Sequence, residues 1–233
     1  MKPKTALDAR LRAAAEYVRQ EAYFADIGTD HAYLPVFLIK SGRIGRAIAA
    51  DIARGPLSRA EETVREASLT QQVELILTDG LTGLADKGIT DIAICGMGGE
   101  MIASILDAAP FVKNPDIRLI LQPMTRAAHL RYYLAREGFD VVEETLCLAG
   151  NKLYSCLCVH YSGIPYTLSC AEAELGYYHV HHTEDPLFLP YLKNHIQTIS
   201  RRVAGMLEGG QDPYETKLLL NELEALYDSQ RTL

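Results

Sequence analysis

Uninterrupted apolar runs recur along the first half of the chain: YFADI (23–27), RAIAADI (46–52), VELILTD (73–79), DIAICG (91–96) and IRLILQP (117–123). Each leads into a stretch of helical periodicity or into glycines. A strand with one face in water alternates apolar and polar residues; these runs do not, so they predict strands covered on both faces, the mark of a parallel sheet wound with helices on each side. Ahead of the first run, Leu7, Leu11, Ala14, Ala15 and Val18 recur at helical spacing behind a Thr5/Asp8 pair resembling a capping box, and the chain is expected to open with a helix. After the fifth run, DVVEETLCL (140–148) and KLYSCLCVHY (152–161) are separated only by Ala149, Gly150 and Asn151. That gap is too short for a helical crossover, and it predicts an antiparallel hairpin.

Beyond Tyr161 the pattern becomes helical throughout. Ser169, Glu172 and Gly176 mark a short capped helix, and Leu192, Ile196, Ile199, Val203 and Met206 follow at alternating steps of four and three, a coiled-coil seam. Gly209 and Gly210 end that helix, Asp212 and Pro213 start another, and Leu219, Leu220, Leu223, Leu226 and Tyr227 give it an apolar face. The expected organisation is an α/β domain over 1–161, a connector over 162–185 and a helical hairpin over 186–233. Five β-α units closed by an antiparallel hairpin is the order of elements in class I methyltransferases, a doubly wound, Rossmann-like fold, whereas dinucleotide dehydrogenases usually continue with a sixth parallel strand.

The first strand runs into the turn FADIGTDHAYLP, where a pyrophosphate-binding protein would carry G-x-G-x-x-G so that backbone amides approach the anion. Only Gly28 remains, and Asp26 and Asp30 would repel a pyrophosphate. An acidic turn suits a ligand with an ammonium and a sulfonium, and S-adenosylmethionine is such a ligand. Downstream, Asp51 ends the second strand where a carboxylate can accept both ribose hydroxyls, and Asp79 ends the third where it can accept from the adenine amino group. CGMGGE (95–100) ends the fourth, its glycines letting the backbone run close to the transferred methyl.

Charge changes the picture of the partner. The net charge of -7 argues against general nucleic-acid binding, and no DNA is expected, but residues 1–160 hold 18 basic against 20 acidic side chains, leaving room for a basic face. Arg10, Arg12, Arg19, Arg43, Arg46, Arg54 and Arg59 are its candidates, with scattered solvated arginines as the alternative. The five cysteines (95, 147, 156, 158 and 170) include no C-x-x-C pair and read as buried thiols; His179, His181 and His182 are expected in an exposed loop, and no metal is expected. No apolar run reaches the roughly 20 residues of a membrane span, and the N-terminus lacks a signal core, so a cytoplasmic protein without membrane association is expected.

ADIGTDHAYLP, GPLSRAEETV, DGL, GMGGEMIASIL, LQPM and GNKLYSCLCV together resemble the bacterial tRNA adenine-N1 methyltransferases of the TrmK family, which act at position 22. The resemblance extends to AELG, PLFLPYL and the helical tail; YYHVHHTED departs from it. It implies a class I fold, S-adenosylmethionine as methyl donor and tRNA as substrate. It places Asp26, Gly28, Asp30 and His31 at the methionine end of the cofactor, Asp51 and Ile52 at the ribose, Asp79 and Gly80 at the adenine, and Gly96, Met97 and Gly98 beside the methyl. Asp30 and His31 are the candidate catalytic groups, and Tyr33, Gln122, Lys152 and Tyr154 candidate walls of the target pocket, with Tyr33, Tyr154 or His31 stacking on the base. Arg201 and Arg202 are the candidate tRNA contacts of the tail. A methyltransferase acting on a small molecule or another RNA, a nicotinamide oxidoreductase and a non-catalytic interaction protein are the competing readings; the missing glycines weigh against the second and the intact acidic strand ends against the third.

Overall fold

The computed structural model describes residues 7–182 and 184–231. Its contacts fall into two compact units, one up to Tyr166 and one from Thr167. The first contains, in order, α1 (Ala9–Tyr17), β1 (Tyr23–Ile27), α2 (Tyr33–Lys40), β2 (Arg46–Asp51), α3 (Arg54–Glu66), β3 (Val73–Leu77), β4 (Asp91–Gly98), α4 (Gly99–Asp107), β5 (Arg118–Thr125), α5 (Ala127–Glu137), β6 (Phe139–Ala149) and β7 (Lys152–Tyr161). Among the described residues one seven-stranded sheet forms, in the order β3-β2-β1-β4-β5-β7-β6. The first five strands are parallel; β7 runs antiparallel to both β5 and β6.

Both faces of the sheet are covered, which is why the strands read as continuous apolar runs. Ala25 and Ile27, Ile92 and Ile94, Leu119 and Leu121, and Leu157 and Val159 pack with Ile102, Leu106, Leu130 and Leu134 of α4 and α5. Their sequence neighbours Phe24, Ala93, Ile120, Cys156 and Cys158 pack on the other face with Ala14 and Ala15 of α1, Val18 at its C-cap, and Leu34 and Leu38 of α2. Burial raises the thiol of Cys158 to about 11 and that of Cys156 well above its ordinary value, so both serve as small apolar residues. Cys170 is exposed, contrary to the expectation for all five thiols.

Local chemistry sets the ends of the elements. Asp8 caps α1, its Oδ1 accepting from the Leu11 amide at 2.9 Å, whereas Thr5, the other half of the expected capping box, lies outside the described residues. β4 does not end at the first glycine of CGMGGE. It continues to Gly98 through two register irregularities against β5, with Gly96 at φ +84°. At the start of α4, a Cβ on Gly99 would sit 2.3 Å from the Arg126 carbonyl oxygen, so that close crossing of two chain segments demands glycine.

The second unit contains α6 (Cys170–Leu175), α7 (Tyr177–His181), α8 (Phe188–Glu208) and α9 (Tyr214–Arg231). Ser169 and Glu172 make the reciprocal capping box of α6. α8 and α9 pack together; Leu192, Ile199, Val203 and Leu223 are buried, and Ile196, Met206, Leu219, Leu220, Leu226 and Tyr227 are partly buried. The expected exposed histidine loop is instead helical at α7: His179 is buried, its ring packed near Phe188 and Tyr191, while His181 pairs with Glu172 at 2.7 Å. His181, two residues after His179, falls on the opposite side of the short helix, and composition alone does not register that.

Among the described residues no helix is long and apolar enough to cross a membrane.

Candidate functional site

In open α/β sheets, ligands bind at the carboxyl ends of the strands where the strand order reverses. Here that point lies between β1 and β4. A cleft of about 380 Å³ opens there, lined by Asp8, Arg10 and Leu11 of the α1 start, Asp26 and the Gly28–Leu34 turn, Cys95, Gly96 and Gln122. A second hollow of about 550 Å³, between the Gln20–Tyr23 and Gly42–Arg46 segments, lies at the amino ends of β1 and β2, the edge where such sheets do not bind ligands.

The β1 turn is built from its own sequence. The Gly28 and Thr29 amides both donate to the Ala50 carbonyl, at 2.8 and 3.0 Å, tying the turn to β2. Gly28 adopts φ +75°, and a Cβ there would meet the Met97 methyl at 2.0 Å, so the position admits no side chain without displacing Met97. Thr29 Oγ1 accepts from the Ala32 amide at 3.0 Å, and Ala32 takes the left-handed conformation (φ +51°) that a non-glycine residue adopts only at a cost. This strained step sets the His31 and Tyr33 rings face to face, 4.8 Å apart and 5° from parallel, at the mouth of the cleft.

Asp26 is buried, 7% exposed, at the floor. Burial pushes its carboxyl up to about 6; the nearby Asp51 charge acts in the same sense, and the Thr29 hydroxyl opposes them. A carboxylate held in this way gains most from a cationic ligand. Asp30 is exposed and engaged by the Arg59 guanidinium of α3, with His31 Nε2 3.4 Å from its other oxygen. Asp51 ends β2 with Oδ1 accepting from the Ala53 amide at 2.7 Å, which leaves Oδ2 for a ligand, and Ile52 beside it is 65% exposed. Asp79 is exposed beyond the end of β3, followed by Gly80 at φ +55°. The cleft itself thus brings together Asp26, Gly28, Asp30, His31, Tyr33, Gly96 and Gln122, while Asp51, Ile52, Asp79 and Gly80 continue the same edge outside it.

A family model for a methyltransferase domain matches residues 7–157. The tRNA (adenine(22)-N(1))-methyltransferase of Bacillus subtilis is 38% identical over 152 residues, 65% of this chain and 63% of that protein, so the matched part spans less than two thirds of that relative. The crystal structure of the B. subtilis m1A22 tRNA methyltransferase TrmK superposes with a TM-score of 0.80 at 30% identity, over 97% of each chain. The chain belongs to the TrmK family of methyltransferases. Two further relatives carry ligands. A Streptococcus pneumoniae protein in complex with S-adenosyl-L-methionine matches at TM-score 0.80 and 29% identity over 94% of this chain and 97% of its own. M. capricolum TrmK in complex with S-adenosyl-homocysteine matches at 0.79 and 26% over 95% and 98%.

The remaining candidates of this TrmK-family chain divide between the units. Lys152 and Tyr154 sit near the tip of the β6–β7 hairpin, which the antiparallel register brings to the carboxyl end of β5. Arg10 lies 5.6 Å from the Tyr154 ring centroid, with Nη1 2.8 Å from Met124 Sδ, closing one side of the cleft. Arg201 and Arg202 are exposed on α8, in the second unit. Thr29 belongs to the site and carried no sequence signal of its own, since it acquires its place through the turn; Arg10 and Arg59 stood out only as members of an expected basic face, and their places at the cleft depend on Met124, Tyr154 and Asp30, distant in the chain. Of the seven arginines expected on a basic face, four are engaged locally. Arg19 is bound to Asp91, Arg43 to the Val18 carbonyl, Arg46 lies over the Tyr23 ring and Arg59 pairs with Asp30.

Proposed function

We propose that this protein transfers a methyl group from S-adenosylmethionine to N1 of adenine 22 in tRNA, in the cytoplasm where that substrate resides. The observation that carries the reading is a buried carboxylate, Asp26, beneath a positive-φ glycine at the β1/β4 reversal, in a chain that aligns with an m1A22 enzyme over nearly its whole length. The residues fit the cofactor: the buried Asp26 carboxylate at the floor suits its net cationic amino-acid end, and Asp51 at the end of β2 keeps Oδ2 clear of its bond to the Ala53 amide. Asp26 would hold the ammonium, Asp51 the ribose hydroxyls with Ile52 beside them, Asp79 and Gly80 the adenine, and Gly96, Met97 and Gly98 the neighbourhood of the methyl.

When bound, S-adenosylmethionine supplies a sulfonium-activated methyl group. At this site adenine N1 would accept that methyl through its lone pair while the S–C bonding pair stays with sulfur, so the positive charge would come to rest on the base. No proton has to leave for this step, so the protein's work is alignment, exclusion of water and stabilisation of charge on the ring. The target base must leave its stack. The paired rings of His31 and Tyr33 offer a platform at the cleft mouth, with the Asp30 carboxylate 3.4 Å from His31 Nε2, and Tyr154 with Arg10 a second wall. Lys152, and Arg201 and Arg202 on the helical unit, are the proposed phosphate contacts.

The direct test is incubation with labelled S-adenosylmethionine and unmodified tRNA followed by nucleoside analysis. Label is expected as N1-methyladenosine, and it should disappear when position 22 is not adenosine. Label on another nucleoside, or none on tRNA, would refute the reading. A second expectation concerns the ribose: Asp51→Asn keeps an oxygen for the Ala53 amide but loses the charge, and it should weaken cofactor binding by about 1–3 kcal/mol without unfolding the protein. Calorimetry that returns wild-type affinity would remove Asp51 from the cofactor site.

A further inference from the structure

Gln122 stands on β5 beside the cleft with its side chain fully buried. Its Nε2 donates to the Pro123 carbonyl at 2.9 Å, and its Oε1 has no hydrogen-bond partner among the described residues. Turning the amide over would set Oε1 against that carbonyl, oxygen facing oxygen, so the neighbouring backbone fixes which atom is free. Buried polar atoms without partners are rare and costly in native proteins, and one on a residue that lines a cleft calls for a donor brought by a ligand.

Position decides which ligand. Asp26 is on β1, and Gln122 is two strands away on β5, where Cys95 of β4 is its register partner. The acidic turn that takes a cation is therefore on one side of β4 and the orphan acceptor on the other. Arg10, Met124 and Tyr154 gather on that second side. A group transferred across the end of β4 would pass from the first side to the second.

We propose that Gln122 Oε1 accepts a hydrogen bond from the exocyclic amino group of the target adenine, orienting N1 toward the methyl donor and discriminating against 6-oxopurines. This inference rests on the adenine-methylation reading above. Guanine and hypoxanthine present a 6-oxo acceptor, which would meet Oε1 lone pair to lone pair. Nε2 cannot swing in to compensate, because that would abandon the Pro123 carbonyl in a buried place. The contact also does more than select. As N1 takes the methyl group, the amino hydrogens become more positive, so the hydrogen bond is stronger in the transition state than in the ground state and acts on turnover.

The test uses the full-length protein with two tRNAs, one carrying adenosine at position 22 and one carrying purine riboside, which retains N1 and lacks the amino group. Gln122→Leu should keep cofactor affinity, measured by calorimetry, and thermal midpoint close to wild type. Its kcat on the adenosine tRNA should fall about 10- to 100-fold, with a smaller change in KM, and its kcat on the purine riboside tRNA should stay within about twofold of wild type. Gln122→Met, linear and of similar volume, serves if the leucine variant does not fold. Equal losses on both tRNAs, a loss of cofactor affinity, or no loss at all would each overturn the proposal. A wild-type protein that fails on adenosine tRNA defeats the reading of function and this inference with it, whereas an active wild type without an adenosine-specific loss defeats the inference alone.

Discussion

Asp26→Asn is expected to make the protein more stable and nearly unable to bind its cofactor. The two effects share one cause. Asp26 is buried, and its carboxyl is pushed up to about 6 by lost hydration, with the charge of Asp51 adding to it. A carboxyl whose pKa is higher in the folded than in the unfolded chain stabilises the fold most at pH values where both forms are protonated. That contribution is lost as pH rises through about 6. At pH 7.5 the wild type therefore carries an ionised carboxylate in a place that disfavours it, and asparagine, of the same shape and still able to accept from Thr29, does not. The gain is about 1–3 kcal/mol, a rise in thermal midpoint of several degrees, and it should shrink toward zero as pH falls to about 4.

The same ionised carboxylate is what a cationic ligand pairs with, and removing one partner of a buried charged pair costs about 2–5 kcal/mol of binding, a loss of roughly 30-fold or more. Wild-type affinity for S-adenosylmethionine should itself weaken as pH falls below about 6, with binding there releasing a proton. Melting curves across pH together with calorimetry in two buffers of different ionisation enthalpy check both halves. A variant that melts lower than wild type at pH 7.5, or that binds the cofactor normally, would show that Asp26 is not a strained ligand.

The parallel strands were legible because a strand buried on both faces leaves an unbroken apolar run, and β1, β2 and β5 begin or end within one or two residues of those runs. The hairpin was legible because three residues cannot make a crossover. The helical pair α8 and α9 announced itself by steps of four and three and by the glycines between. Legibility failed where a residue's surroundings come from elsewhere in the chain. Asp30 looks free in DIGTDH, and its engagement by Arg59 depends on how α3 returns over β2, 29 residues on. The continuation of β4 through Cys95–Gly98 needs the β5 edge to pair with, which glycine content does not reveal. Of the candidate site, the acidic residues at strand ends could be placed from sequence because their backbone positions follow from the strands. The orientation of the Gln122 amide could not, since it depends on a hydrogen bond to the next carbonyl.

The clearest case of hidden information is Glu144, and it carries the largest stability effect expected for a single substitution. In DVVEETLCL a regular alternation that puts Phe139 and Val141 on the α5 face would put Glu143 there too. Instead the register slips between Val141 and Glu143; Glu143 pairs with Cys158 on the α1 face, and Glu144 pairs with Leu157 on the α5 face. The bulge at Val142 thus turns one carboxylate outward and drives the next beneath α5. There Arg131 meets it, with Nη2 2.5 Å from Glu144 Oε1 and 3.0 Å from Ser155 Oγ, both side chains about as buried as the aliphatic core. Arg131→Met would leave Glu144 charged or forced to take up a proton without its partner, and a loss of about 3–5 kcal/mol follows. Arg131→Met combined with Glu144→Leu removes both charges and should recover most of that loss, since an apolar pair of similar volume needs no hydration. Urea melts should show the midpoint falling sharply for the single variant and returning for the double at unchanged slope. The ion pair fixes the bulged β6–β7 hairpin to α5, and the tip of that hairpin carries Lys152 and Tyr154, so the single variant should also lose methylation at temperatures where it remains folded, while its cofactor affinity, set on β1 and β2, stays. A single variant as stable as wild type would mean that Glu144 finds water or another donor, and that the bulge, rather than the arginine, holds the hairpin in place.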